Sequence, residues 1–91
     1  MFNVYILYSA KSNSYYTGQT ENWETRLAKH LAGDSPYTAR ASDWILVYRR
    51  QYASRGEAIK AEHRIKKLKS QKSIQRYIRD PRNEINRKNG V

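Results

Sequence analysis

The sequence predicts an α+β domain: a three-stranded antiparallel β-sheet flanked by helices, in the order β-β-α-β-α-α. Three observations carry that expectation. Two alternating runs face each other across the polar turn Ala10–Ser14, and WILVYRRQY supplies a third strand. Three further segments repeat apolar residues at helical spacing, each behind a residue able to cap a helix start.

In the first run Phe2, Val4, Ile6 and Tyr8 share one face, and Asn3, Tyr5, Leu7 and Ser9 share the other. The return strand, Tyr15 to Gln19, puts Tyr16 and Gly18 on one side. A glycine weakens a strand unless something must approach closely there. In TENWETRLAKHLAG, Thr20 or Asn22 can cap the first helix and Gly33 suits its end. Residues 34–43 read as loop. Ser54 with Glu57 forms a capping box that opens a second helix running to about Lys69. Ser70 can cap a third helix through Ile74, Tyr77 and Ile78, which Pro81 stops. A single domain over residues 1–80 and a polar, basic, frayed tail over 81–91 are expected.

Ninety-one residues leave room for one thin core, since a chain this short buries only about two-thirds of its unfolded surface. There is no cysteine, which excludes disulfides and thiolate metal sites and fits a cytoplasmic protein. No apolar run approaches membrane-spanning length. Eighteen Lys and Arg face eight Asp and Glu, and the excess is uneven: +2 over residues 1–54, +8 over residues 55–91. A basic half of this kind is the electrostatic footprint of a nucleic-acid binder.

Several polar residues point where apolar ones belong. On a wheel of about 100° per residue, Trp23, Leu27 and Leu31 form the expected buried stripe of the first helix. His30 and Arg26 border that stripe, one turn apart. A guanidinium there needs an anion; an ion pair with an acidic side chain is the plain alternative, and for His30 a bond to backbone. In the second helix, Ala58, Ala61, Ile65 and Leu68 form the apolar arc, and Glu62 sits about 40° from Ala58 inside it. A carboxylate in a dry face calls for a cation, either Arg26 or a hard divalent metal, with Lys66 one turn on as a further offset. Phosphodiester hydrolysis needs a base for water, a cation at the phosphoryl oxygens and a metal. No Ser-His-Asp set, Walker loop or zinc spacing competes.

Val4-Tyr5-Ile6-Leu7, Tyr16-Thr17-Gly18, Arg26, His30 and Glu62-His63-Arg64-Ile65-Lys66 together resemble the GIY-YIG nuclease domain, in the form of small stand-alone bacterial proteins. The resemblance spans roughly residues 2–78. It implies one divalent ion, Mg²⁺ or Mn²⁺, held by Glu62. It implies Tyr5 as general base or water-orienting group, Tyr16 positioning water or phosphate, Arg26 stabilising phosphoryl charge, and His30 assisting Tyr5 or contacting the phosphate. Tyr5 would need nearby positive charge to act as a base near neutrality, because a free tyrosine titrates near 10. Asn3 and Thr17 stand where the name motif has Gly and Ile. The asparagine that many family members place after the glutamate is absent here until Asn83.

The expected function is therefore metal-dependent endonuclease activity on DNA, in repair or processing. Arg55, Arg64, Lys67, Lys69, Lys72, Arg76 and Arg79 are the candidate nucleic-acid contacts. The alternatives are a non-catalytic DNA- or RNA-binding module on the same scaffold, and a subunit whose basic helices dock on an acidic protein.

Overall fold

A computed structural model describes residues 2–33, 39, 41–68 and 70–85. Its elements are β1 (Phe2–Ser9), β2 (Ser14–Thr20), α1 (Trp23–Leu31), β3 (Ile45–Tyr52), α2 (Arg55–Lys66) and α3 (Gln71–Arg79). The architecture is α+β, a three-stranded antiparallel sheet in the order β2-β1-β3 with three helices. The expected element order holds. Loop residues 34–38 and 40, Lys69 and the end of the expected tail lie outside the described residues.

Side-chain alternation splits the sheet into two working faces. Val4 and Ile6 join Tyr48, Ala58, Ala61 and Ile65 in a core beneath α2, with Ile74, Tyr77 and Ile78 of α3 packed against it. Each fully buried aliphatic side chain there contributes about 1.5–3 kcal/mol. Tyr5 and Leu7 join Trp44 in a second, smaller core on the other face, against Tyr16, Leu27 and Leu46. The sheet thus separates α2 and α3 from α1.

The caps form as their sequences dictate. Asn22 accepts from the Thr25 N–H at 3.2 Å, Ser54 from the Glu57 N–H at 3.2 Å, and Ser70 from the Lys72 N–H at 3.1 Å. Gly33 takes a φ of +79° just beyond α1. α2 stops at Lys66 rather than near Lys69, because Ser70 is extended (φ −114°, ψ 132°) in order to cap α3.

Two expectations are corrected by packing. The residue that α1 buries is His30, at 1% exposure, whereas Leu31 is 51% exposed. The face of α1 is set by what His30 bonds, described below, and that rotates Leu31 off the sheet. Nor is the start of the polar tail frayed. Asn83 is fully buried: its Oδ1 accepts from the Arg49 and Ile85 N–H groups, and its Nδ2 donates to the Val47 and Ile78 carbonyls. β3 carries an irregularity at Val47, since Ile6 pairs with Tyr48 and Leu7 with Leu46. Asn83 collects the carbonyl turned outward there, and Glu84 accepts from the Gln51 N–H at 2.8 Å. Together they cover the open edge of β3, which would otherwise offer unpaired backbone groups to another chain. Packing therefore continues past residue 80, to Ile85.

Candidate active site

The site is built on the α1 side of the sheet, at the β2 edge. Tyr5 pairs across the ladder with Gly18. A Cβ on Gly18 would stand 2.5 Å from the Tyr5 Oη and 2.7 Å from its Cζ. The missing side chain is therefore the space through which the Tyr5 phenol crosses β2 toward its outer edge. Tyr16 pairs with Leu7 and projects from the same face; its ring centroid lies 6.4 Å from that of Tyr5.

α1 supplies the next two groups. His30 Nε2 lies 2.9 Å from the Tyr5 Oη, and its ring meets Tyr16 edge-on at 4.8 Å between centroids. Arg26, one turn earlier, is within hydrogen-bonding reach of the Tyr5 and Tyr16 phenols. Among the described residues no carboxylate comes within ion-pair distance of Arg26, so its neighbours are the two phenols rather than an acid. Open clefts flank the cluster, one bounded by Arg26, Thr25 and Lys29 and the other by Tyr16, Thr17 and Lys66.

The electrostatics order the three groups. Burial pushes the Tyr5 phenol up to about 12, a rise that the Arg26 hydrogen bond and charge only partly offset. Burial, and then the Arg26 charge, lowers His30 from its ordinary value. The Tyr5 contact raises that of Arg26. At neutral pH the site thus holds a neutral phenol, a neutral imidazole and a cationic guanidinium. Arg26 alone does not bring Tyr5 down toward neutrality, because loss of solvent outweighs one guanidinium.

Glu62 arrives from α2, which packs on β2 and β1. Its side chain is 14% exposed, and its carboxylate sits 3.5 Å from the Lys66 ammonium, whose side chain is 53% exposed. The carboxylate is largely sheltered from solvent, and its charge is the least of the influences on the Tyr5 phenol. Its ion pair is with Lys66, one turn along. Magnesium-class ions are held by one or two carboxylates with several waters, and a sheltered carboxylate with one exposed, movable partner fits that demand. Among the described residues no group of three or more His, Cys, Asp or Glu could hold a metal.

One neighbour has no counterpart in the sequence reading. Arg49, 7% exposed, pairs with Tyr5 across β1–β3 and shares its face. Its guanidinium donates to Asn3 Oδ1 at 3.4 Å, pairs with Glu84 at 3.2 Å and stacks 4.5 Å above the Trp23 ring. Asn3, 2% exposed, also reaches the Thr20 and Glu21 carbonyls. This cluster ties β3 and β1 to the start of α1, one turn before Arg26. Alternation places Arg49 on the Tyr5 face, and that was the available signal. Asn83 spends its side chain at the β3 edge, opposite the β2 edge where Glu62 arrives, so it does not supply the family's missing asparagine.

The candidate nucleic-acid contacts divide. Arg55 is exposed, pairs with Glu21 at 3.0 Å and lies over the Phe2 ring. Lys67, Lys72 and Arg79 are exposed; Lys69 lies outside the described residues. Arg64 follows Glu62 by two positions and so leaves α2 on the opposite flank, where it and Arg76 border a separate groove. Arg64 and Arg76 therefore do not share the Tyr5 surface.

The comparisons agree with this geometry. A family model described as the GIY-YIG catalytic domain matches residues 1–77. The chain is 40% identical over 72 residues to a UPF0213 protein of Staphylococcus haemolyticus, covering 78% of this chain and 87% of that one. It is 36% identical over 69 residues to a UPF0213 protein of Halobacterium salinarum, covering 75% and 88%. It is 38% identical over 81 residues to one of Bacillus licheniformis, covering 88% and 81%. No solved structure matches. The phenol threaded over Gly18, the helical Arg26 and His30, and the match over the whole sheet, α1 and α2 make the chain a member of the GIY-YIG family, a nuclease family.

Proposed function

We propose that this domain is a divalent-metal-dependent endonuclease that hydrolyses phosphodiester bonds in DNA, in repair or processing. The observation that carries the reading is the convergence of Arg26 and a neutral His30 on one phenol, and the sheltered Glu62 carboxylate is the candidate metal ligand. A stable domain gains little from gathering these groups at a cleft, whereas phosphoryl transfer uses each of them.

Glu62 would hold one Mg²⁺ or Mn²⁺, which supplies Lewis-acid neutralisation of phosphoryl charge. The chain's own groups do the rest. Arg26 donates to the Tyr5 oxygen, which leaves the phenol proton directed at His30 Nε2. As water attacks phosphorus and the bond from phosphorus to the leaving sugar oxygen breaks, the water's proton passes to the Tyr5 oxygen while the Tyr5 proton passes to His30, and the leaving oxygen takes a proton from solvent. The net transfer runs from water to imidazole, and the phenol is neutral before and after. This route needs no phenolate, so a Tyr5 value near 12 is no obstacle. Arg26, cationic at every working pH, faces the charge that builds on the phosphoryl oxygens. Tyr16, edge-on to His30, orients the phosphate.

Incubating supercoiled plasmid with the protein and Mg²⁺ or Mn²⁺ tests the proposal, with Glu62→Ala as control. Nicking that the variant abolishes supports it. Equal background from both leaves a non-catalytic nucleic-acid-binding module, and a panel of DNA and RNA structures then identifies what is bound or cut.

A further inference from the structure

A second concave region lies on the face of the sheet turned away from Tyr5. Arg49 shares the Tyr5 face, so Arg50 points the other way; it pairs with Val4, a residue of the core beneath α2. Two cavities of about 270 and 210 Å³ open there, and both are bounded by Arg50, Tyr52 and Arg64. Lys60 and Glu57 border one, while Arg76, Tyr77 and Arg82 border the other. Shared walls make them one groove. Its acids do not neutralise it: Asp80 pairs with Arg82 at 2.9 and 3.1 Å, which leaves Glu57 against Arg50, Lys60, Arg64 and Arg76. The Arg50 guanidinium lies 5.0 Å from the Tyr52 ring centroid, so cation and aromatic surface are presented together.

We infer that this groove is a second nucleic-acid contact site, which takes a single-stranded segment. Its phosphates lie along Arg50, Lys60, Arg64 and Arg76, and bases stack against Tyr52 and Tyr77. The inference rests on the nucleic-acid reading above. Cations interleaved with aromatic rings are what single strands use, since every base has a face to stack and every linkage a charge. The spacing of the two sites argues against a duplex bridging them. The domain measures 30 × 29 × 26 Å, and Glu62 and Arg64 leave α2 roughly 160° apart. Duplex DNA stays straight over about 50 nm, so a duplex on the cleavage face cannot also reach this one. A flexible strand or arm of the same substrate can. The substrate class that fits is nucleic acid with a single-stranded segment next to the cut.

The test measures binding in EDTA, where no cutting occurs. Anisotropy of labelled oligothymidylate is followed for wild type, Arg64→Glu/Arg76→Glu and Arg26→Ala, with folding checked by circular dichroism. The groove variant should lose about tenfold or more in affinity and show a shallower salt dependence, while Arg26→Ala retains most of the binding. Unchanged affinity in the groove variant, or an equal loss in Arg26→Ala, overturns the inference. If the groove variant does not fold, acetylation of the wild-type protein decides. Oligothymidylate should protect Lys60; protection confined to Lys29, beside Arg26, places the strand in the cleavage cleft and overturns the inference. A wild type that binds through the groove yet never nicks plasmid would sink the nuclease reading and leave this one standing.

Discussion

Gly18 is where it is because Tyr5 passes over it: the Tyr5 Oη lies 2.5 Å from the position of a Gly18 Cβ. The contact links the strand sequence to the chemistry. Without the glycine, the phenol cannot cross β2 to meet Arg26 and His30.

Gly18→Ala should therefore cost about 1–3 kcal/mol, the usual penalty for overpacking a closed site. Chemical denaturation measures that loss. Cleavage by the fraction that remains folded should fall further than stability does, because the ring must swing away from His30. A variant as stable and as active as wild type would mean that Tyr5 has free space elsewhere.

Arg26→Ala should leave the fold intact and lower cleavage by about two orders of magnitude or more, the scale of losing one charge contact in the transition state. The half-buried guanidinium anchors no described carboxylate, so little structure depends on it. Circular dichroism and cleavage rate, taken together, check this. Loss of the folded signal would make Arg26 a structural residue.

The proton route through His30 predicts a pH dependence with a definite sign. His30 must be neutral to accept the Tyr5 proton, and burial with the Arg26 charge lowers it from 6.5. Cleavage should hold steady down to about pH 6.5 and decline only below that. Stability follows the same direction. As pH falls through about 6.5, the unfolded chain takes up a proton at His30 before the folded one does, so the unfolded state binds more protons and stability drops. The melting temperature should fall as pH drops below about 6.5, and His30→Gln should reduce the slope. A melting temperature that rises on acidification would contradict the assignment.

Much of this was legible in the sequence, for identifiable reasons. Asn22, Ser54 and Ser70 were readable as caps because their chemistry is local. Tyr5, Tyr16 and Glu62 stood out because periodicity fixes which face a residue shares. What periodicity does not fix is depth. On the α1 wheel Leu31 and His30 are both eligible for burial, and the Tyr5 hydroxyl, distant in sequence, selects His30. Arg49 reads as an ordinary strand charge until Asn3, Trp23 and Glu84 surround it. Asn83 sits in a polar segment with no period at all, and only the outward carbonyl at Val47 gives it a use.

Asn83→Ala should destabilise the domain by about 1–3 kcal/mol or more, since it strips partners from the Arg49 N–H and the Val47 and Ile78 carbonyls in a buried setting. Truncation after residue 80 should cost at least as much. Urea unfolding of both proteins tests this, and a truncated domain of unchanged stability would mean that the β3 edge needs no cover. Added self-association in either variant would report the exposed edge directly.

The central claim is that Tyr5 and Glu62 serve one phosphoryl-transfer centre, and single-turnover cleavage by Tyr5→Phe, Glu62→Gln and the double variant tests it most directly. Each single change should lower the rate by about two orders of magnitude or more, and the double should be little worse than the worse single, as expected of groups acting as a unit. A folded Tyr5→Phe or Glu62→Gln protein that cuts DNA at the wild-type rate would contradict it.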